Sequence, residues 1–215
     1  MTGGLFSLMR VIQDLGLDNP THLELDYSGS SINSLTTTLL QQLYAAGSGL
    51  EPSHPVPVHT VHAHVRVYYP SKRSVHASNG GVAAGSHFFL RERHWRSLAC
   101  PRACVRQLEP LRRGLLSHQK LLFARGRRGD GSCFAWVYIG SANPTSAAWG
   151  RLTRHGISIN NHECGIVACV PANQLRFADA TPLPSIASFD QLLPVPFAYP
   201  GQLFSSHEPP WFFPI

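Results

Sequence analysis

The feature that most constrains the fold of this chain is the alternation of strand-like and helix-like stretches along its length. Apolar residues recur at helical spacing over 4–16 and about 33–45, and a shorter helix is predicted over about 144–149. Strands are predicted where the pattern has period two or is continuously apolar, over residues 22–27, 61–70, 118–123, 133–139 and 162–170. Such alternation favours an α/β sandwich, in which helices pack on a sheet.

Proline marks a change of character near residue 171. Nine of the seventeen prolines lie in the last 45 residues. Proline has no backbone N–H and fixes φ, so it interrupts both helices and central strands. We therefore expect residues 171–215 to form an extended tail packed over a domain of residues 1–170, without contributing to its core.

Composition excludes several classes of protein. With 43% hydrophobic and 14% charged residues, the chain resembles neither a disordered protein nor a coiled coil. No run approaches the roughly 18 apolar residues of a membrane span, so no membrane partner is expected, and the amino terminus lacks a secretory pattern. The five cysteines are odd in number and scattered, which argues against a disulfide framework and for a reducing, intracellular location.

Positive charge is concentrated in one part of the chain. Residues 91–128 contain eleven basic and two acidic side chains, a charge of +9 against −3 for the remainder, which together give the net +6. Such a block suits a polyanion such as DNA, although a solvated basic surface explains it equally well. Sixteen of the eighteen basic residues are arginine, so the two lysines, Lys72 and Lys120, stand out.

Two short motifs indicate a phosphate site. His118 and Lys120 are two residues apart in a predicted strand, so their side chains should share a face. The next predicted strand ends at Gly140-Ser141, and Asn143 precedes Pro144, a favoured first residue of a helix. An imidazole, an ammonium and an amide at a helix start could bind and protonate a phosphate ester. Spacing alone leaves an ordinary strand-to-helix turn as the alternative.

The same motifs carry a resemblance to a known family. His-x-Lys followed about twenty residues later by Gly-Ser-x-Asn is similar to the phospholipase D superfamily motif. That motif continues with an aspartate after four intervening residues, where this chain has Arg125. The missing aspartate is a property of one branch, the tyrosyl-DNA phosphodiesterases. Further segments resemble that branch in the same order: SSINSL (30–35), VYYPS (67–71), GSANPTSAAWG (140–150), NHECGIV (161–167), PVPF (194–197) and PPW (209–211).

The resemblance, which runs from about residue 20 to 215, implies a fold and a mechanism. It implies a mixed sheet flanked by helices, forming one half of a two-lobed, pseudo-symmetric enzyme. A histidine of the first half attacks phosphorus at a DNA 3′ end linked to tyrosine and becomes a phosphohistidine. A histidine of the second half protonates the leaving oxygen and then activates water. No metal or other cofactor is implied.

Residue roles follow from the matched positions. The resemblance makes His118 the general acid and base of the second half, Lys120 and Asn143 its phosphate ligands, and Glu163 the residue that orients His118. The implied partners are single- or double-stranded DNA with 3′ adducts and a peptide derived from topoisomerase I, in the nucleus. The implied DNA contacts are Ser31, Ile32, Asn33, Ser34, Ser141 and Thr145.

The sequence departs from the family pattern because it lacks the motif of the first, nucleophile-bearing half. The sequence contains no second His-x-Lys, since Lys72 is preceded two residues earlier by Pro70. The chain therefore resembles the carboxyl-terminal half alone, whether a fragment, a truncated gene model or a diverged paralogue, and it is expected to be inactive without an amino-terminal half. Two alternatives remain open: a single-motif nuclease half that dimerises, and a non-catalytic DNA-binding remnant.

A second group of residues contains types that can bind zinc. His59, His62 and His64 fall in the predicted strand 61–70 or just before it, and Cys100 and Cys104 are four residues apart. These residues lack a second recognisable pair of ligands. The histidines are therefore predicted to be polar residues of an edge strand, with no metal bound.

Overall fold

The computed structural model describes residues 3–178 and 181–213, in which six strands form one mixed sheet. The strands of this sheet are β1 (His22–Ser28), β2 (Val65–Tyr69), β3 (Val105–Gln107), β4 (Lys120–Arg127), β5 (Cys133–Gly140) and β8 (Gly165–Cys169), and β6 (Arg151–Thr153) and β7 (Gly156–Ser158) form a separate hairpin. The sheet order is β3-β2-β1-β4-β5-β8. Strands β1, β2 and β3 run parallel, whereas β4 is antiparallel to both β1 and β5, and β8 is antiparallel to β5.

Helices and short 3₁₀ turns connect these strands. The helices are α1 (Gly4–Asp14), α2 (Thr37–Gly47), α3 (Val58–His64), α4 (Lys72–His76), α5 (Gly81–Ala84), α6 (Glu92–Arg96) and α7 (Ser146–Trp149). The 3₁₀ turns are Gly85–His87, Arg102–Cys104, Ala172–Gln174 and Ile186–Phe189. A mixed sheet flanked by helices confirms the predicted α/β class. Of these helices, none is both long and apolar enough to cross a membrane.

Helices cover one face of the sheet because their apolar stripes face it. Helix α1 buries Leu5, Leu8, Met9 and Ile12 at helical spacing. Helix α2 begins after Thr36, whose hydroxyl accepts a hydrogen bond from the Leu39 N–H at 3.2 Å, as an N-cap residue does. Side chains from alternate positions of the central strands, including Leu122 and Ala124 of β4 and Trp136 and Tyr138 of β5, complete this larger core.

The opposite face of the sheet is covered by the proline-rich tail. The remaining positions of the central strands, among them Phe123 of β4 and Val137 of β5, form a second core with Phe189 and Phe197 of the tail. Both tail phenylalanines are buried, at 0% and 2% exposure. The expectation that the tail stays out of the core is therefore wrong, because a sheet whose two faces are both apolar needs a cover on each.

Several element boundaries differ from the predictions. Residues 58–64 are a helix, and the strand predicted over 61–70 begins at Val65, because Val61 and Val65 are spaced for a helix as well as for a strand. Helix α2 begins four residues later than predicted, after its Thr36 cap. Strand β4 begins at Lys120 and β8 at Gly165, so both start later than the apolar pattern suggests.

Candidate active site

Three strand ends lie side by side at one end of the sheet, and the segments next to them contain predicted site residues. Ser28, the last residue of β1, is paired with Leu121 of β4, and Lys120 is paired with Gly140, the last residue of β5. The loop after β1, the segment before β4 and the loop after β5 therefore leave the sheet side by side. These three segments contain the Ser30–Ser34 loop, His118 and Asn143, respectively.

His118 and Lys120 are in direct contact. The Lys120 Nζ lies 3.0 Å from Nδ1 and 3.2 Å from Nε2 of the His118 ring, and it donates a hydrogen bond of 2.8 Å to the His118 carbonyl oxygen. His118 precedes β4, so the lysine reaches it by folding back and not through the strand alternation that we predicted. The His118 ring also meets the rings of His87 and Phe88 edge-on, with centroids 5.9 and 6.0 Å apart.

These surroundings shift the ionisation of both groups. Partial burial, the Lys120 charge and His87 together lower the pKa of His118 below its usual value near 6.5. Burial also lowers the pKa of Lys120, against an opposing effect of the Glu163 charge. His118 is therefore poised as a neutral imidazole at neutral pH, the form that accepts a proton.

Asn143 anchors the loop of residues 30–34 that follows β1, called the serine loop below. Its Oδ1 accepts hydrogen bonds from the backbone N–H groups of Ser30 and Ser31 at 2.9 and 3.0 Å, and from the Ser30 hydroxyl at 3.2 Å. The close approach of these segments depends on Gly29, because a Cβ there would collide with the ring of Pro144. No acceptor for the Asn143 Nδ2 is found among the described residues, which leaves this amide able to donate to a ligand.

The start of helix α7 differs from the prediction. The helix begins at Ser146 and not at Pro144, so Asn143 is not at the helix terminus. Thr145 is the N-cap instead, with its hydroxyl accepting from the Ala148 N–H at 3.4 Å. At 7% exposure, Thr145 is largely buried, and its hydroxyl accepts one hydrogen bond while keeping its proton to donate, so its contact with DNA stays a prediction.

The serine loop is divided between structural and accessible residues. Ile32 is fully buried and its N–H donates to the Phe89 carbonyl, so it anchors the loop, and its contact with DNA stays a prediction. The Asn33 Oδ1 accepts a hydrogen bond of 2.9 Å from the Arg91 N–H. Ser31 and Ser34 are half-buried, and for their hydroxyls the described residues provide no hydrogen-bond partner. These two serines stay candidates for contacts with a DNA backbone.

Glu163 does not make the contact with His118 that the resemblance implies. Its Oε2 accepts a hydrogen bond from the Ser141 hydroxyl, and its Oε1 accepts one of 2.9 Å from the Asn161 amide. Within the described residues, the bonded partners of Glu163 are Ser141 and Asn161, because strand β8 begins two residues later and leaves Glu163 in the preceding loop. Glu163 instead fixes Ser141 and supports the charge of Lys120.

Arg125 occupies the position of the superfamily aspartate and belongs to a buried charge network. It donates from Nη2 to Asp26 Oδ2 at 2.9 Å and to the Tyr199 hydroxyl at 2.7 Å. Asp26 is fully buried and also accepts hydrogen bonds from Arg66 at 2.6 Å and from the Tyr68 hydroxyl at 2.9 Å. The chain therefore has a carboxylate in contact with the position of the superfamily aspartate, but it belongs to Asp26 of β1.

Sequence reasoning did not identify His87 as a neighbour of His118. The two residues are 31 positions apart, and His87 lies in a 3₁₀ turn that the Gly80–Gly85 stretch made unpredictable. Neither motif spacing nor periodicity carries a signal for such a contact, which depends on how the loop packs.

Comparison with known proteins places these observations in a family. A family model described as tyrosyl-DNA phosphodiesterase matches residues 1–205. Among solved structures, a variant of yeast tyrosyl-DNA phosphodiesterase is similar with a TM-score of 0.68 and 15% identity, over 100% of this chain and 54% of that one. A second variant of the yeast protein matches with a TM-score of 0.66 and 15% identity, over 99% and 54% of the two chains. The chain thus spans about half the length of these structures.

Proposed function

Since the chain belongs to the tyrosyl-DNA phosphodiesterase family, we propose that it acts in DNA repair as one half of a phosphodiesterase for 3′-phosphotyrosyl DNA. The observation that carries this proposal is the contact of His118 with Lys120, at the strand ends from which the segment of Asn143 also leaves the sheet. These are the groups needed to protonate a leaving oxygen and to neutralise phosphoryl oxygens. The nuclear location implied by the resemblance stays a prediction.

Each residue has a defined task in the proposed reaction. In the first step, a histidine outside this chain attacks phosphorus, the bond to the tyrosyl oxygen breaks, and protonated His118 gives that oxygen its proton. In the second step, neutral His118 takes a proton from water, which attacks the phosphohistidine and releases a 3′-phosphate. Lys120 and the Asn143 amide offset the charge on the non-bridging oxygens. The lowered pKa of His118 favours the second step, in which the imidazole acts as a base.

The proposed half-site explains why the chain should be inactive alone. In-line displacement needs a nucleophile on one side of phosphorus and an acid on the other, and His118 can occupy one of these positions at a time. The sequence has no second His-x-Lys to supply the other. Loss of one such group commonly costs about 10²-fold or more in rate, and here several are missing together.

The test is an assay of the purified chain on a 3′-phosphotyrosyl oligonucleotide, alone and with the amino-terminal half of a related phosphodiesterase. Turnover should require the added half and should fall by about 10²-fold or more in His118→Ala and Lys120→Met. His54→Ala, a change at an exposed histidine outside the site, should leave it unchanged. Robust turnover by a demonstrable monomer would contradict the half-site.

Two outcomes distinguish the alternatives. Activity of the chain alone that appears only in a dimer, and is lost in His118→Ala, would favour the self-complementing nuclease half. Salt-dependent DNA binding without turnover in any combination would favour the non-catalytic remnant.

A further inference from the structure

A cluster of two histidines and a glutamate lies at the end of β1 remote from the candidate active site. His22 and Glu24 are two residues apart on β1 and project from the same side of it, and His64 is the last residue of α3. The Glu24 Oε1 lies 3.2 Å from His22 Nε2 and 2.8 Å from His64 Nδ1. All three potential ligand atoms lie within 4.8 Å of one another.

We propose that His22, Glu24 and His64 bind a zinc ion that joins helix α3 to strand β1. Two imidazole nitrogens and one carboxylate oxygen are a known zinc ligand set, with a fourth position left for water. This proposal replaces the expectation of no metal. Because residues 58–64 form a helix and not a strand, His64 is directed to β1 while His59 and His62 are exposed.

The geometry requires small adjustments to accept the ion. Zinc ligands about 2.1 Å from a tetrahedral metal are about 3.4 Å from each other. The two measured separations from Glu24, 3.2 and 2.8 Å, fall short of this by a few tenths of an ångström. One nitrogen of each imidazole contacts the same carboxylate oxygen, and the two rings meet edge-on with centroids 4.6 Å apart. The third separation, between the two histidine nitrogens, is within 4.8 Å.

The carboxylate of Glu24 is oriented by an arginine. Arg66 binds Oε2 at 2.5 Å and leaves Oε1 to the histidines. Its own charge is shared with Asp26, to which it donates at 2.6 Å. Such outer contacts orient a metal ligand.

The cluster lies away from the candidate active site and is reached by solvent. His22 lies six residues and Glu24 four residues before Ser28, so they are about 20 and 13 Å along β1 from its end at the candidate active site. The side chains of His22, Glu24 and His64 are 32%, 14% and 28% exposed, so solvent can reach the fourth position. Because His64 leads directly into β2, a bound ion would fix the junction between α3 and the parallel pair β1–β2.

The experiment is a zinc titration of the full chain after removal of metal with EDTA. We expect one equivalent of zinc by calorimetry, and a rise in melting temperature with zinc concentration because the ion binds the folded state. His22→Ala and His64→Ala should each lower the affinity by about 100-fold or more, since loss of an outer-shell partner alone costs 10–100-fold. His62→Ala, an exposed histidine of the same helix, should bind as the unmodified chain does.

Further variants keep the outcome interpretable. The melting temperatures measured in EDTA identify any variant that fails to fold, and Glu24→Gln provides a third ligand change. A variant with serine at Cys133, Cys164 and Cys169 should retain zinc, because these accessible thiols are the competing ligands. The proposal is overturned if the folded chain binds no zinc, if the ligand variants bind it equally, or if the cysteine variant loses it. None of these outcomes depends on phosphodiesterase activity.

Discussion

The contact between Lys120 and His118 places two groups that can both carry positive charge 3.0 Å apart. At that distance the ammonium disfavours the imidazolium, so the charge of the lysine tunes the acidity of the histidine. The arrangement suits a residue that must give up its proton and then act as a base. The protonation state of each group therefore affects the pKa of the other.

Removal of the lysine charge should raise the pKa of His118. In Lys120→Met the Coulombic contribution of the ammonium disappears, and the imidazolium becomes easier to form. An NMR titration of the imidazole C–H signals measures the shift. Lys72→Met, which changes the other, exposed lysine, should leave the titration of His118 where it was. A downward or absent shift in Lys120→Met would show that burial and not charge sets this pKa.

The buried Asp26 network should be the most sensitive polar site for stability. Asp26→Asn removes the charge that Arg66 and Arg125 share, and breaking a buried pair costs about 3–5 kcal/mol. Urea denaturation gives the free energy of unfolding. The same substitution at Asp190, in an exposed pair with Arg176, should cost about 1 kcal/mol or less. Equal losses at both positions would contradict the role of the network.

At the scale of elements, the tail contributes to the core in a way that the sequence pattern did not predict. Its prolines indicate an extended segment, yet two phenylalanines between them complete the second core. Phe189 packs edge-on against Phe123 of β4, with ring centroids 4.9 Å apart. The tail therefore does for one face of the sheet what α1 and α2 do for the other.

Truncation of one tail side chain should destabilise the whole domain. Phe189→Ala should lower the free energy of unfolding by about 3–5 kcal/mol, because it leaves a cavity in a fully buried position. Phe177→Ala, in the same tail but 56% exposed, should change it by about 0.5 kcal/mol or less. Thermal or urea unfolding of the two variants makes the comparison. A similar small loss in both would mean that the tail detaches easily from the sheet.

Local patterns determined which elements could be predicted. Strand β1 and helix α1 each have one dominant period and β5 is a continuous apolar run, and their predicted bounds agree with the structure to within one or two residues. The valines in and after residues 58–64 fit both the helical and the strand period, and the structure forms a helix there with Val61 buried. At α7, Pro144 suits a helix start, but the Thr145 hydroxyl provides the cap one residue later.

The candidate site was predictable where its residues are close in sequence. Lys120 and His118 are close in sequence, although the lysine makes the contact by folding back from the start of β4 and not by strand alternation. The segment of Asn143 leaves the sheet beside theirs because β4 and β5 are adjacent strands. The partners of Glu163, Thr145 and Ile32 depend on where a loop turns into a strand, helix or core segment. The positions of such boundaries depend on packing between residues that are far apart in the sequence, and a single sequence carries little information on such contacts.

At the scale of the whole molecule, part of the basic block is committed to structure. Arg125 is buried in the Asp26 network, Arg96 pairs with Glu92, and Arg106 donates to the Ala103 carbonyl at 2.7 Å. Arg112 and Arg113 are exposed in the segment that leads to His118. The charge that can meet a polyanion is therefore smaller than the formal +9, and part of it lies beside the candidate site.

The position of these two arginines predicts where a DNA strand would run. Arg112 lines a cavity of about 520 Å³ together with His118, Gln119 and prolines of the tail, so a strand whose end reaches His118 would pass Arg112 and Arg113. Each phosphate neutralised on single-stranded DNA contributes about 0.7 to the slope of log affinity against log salt. The double variant Arg112→Ala/Arg113→Ala should make that slope shallower by up to about 1.4, measured by fluorescence anisotropy at several salt concentrations. Arg151→Ala/Arg154→Ala removes the same charge from the exposed β6–β7 hairpin and should leave the slope unchanged. Equal changes in the two double variants would mean that DNA responds to the net charge of the molecule, and that the strand does not follow a path to His118.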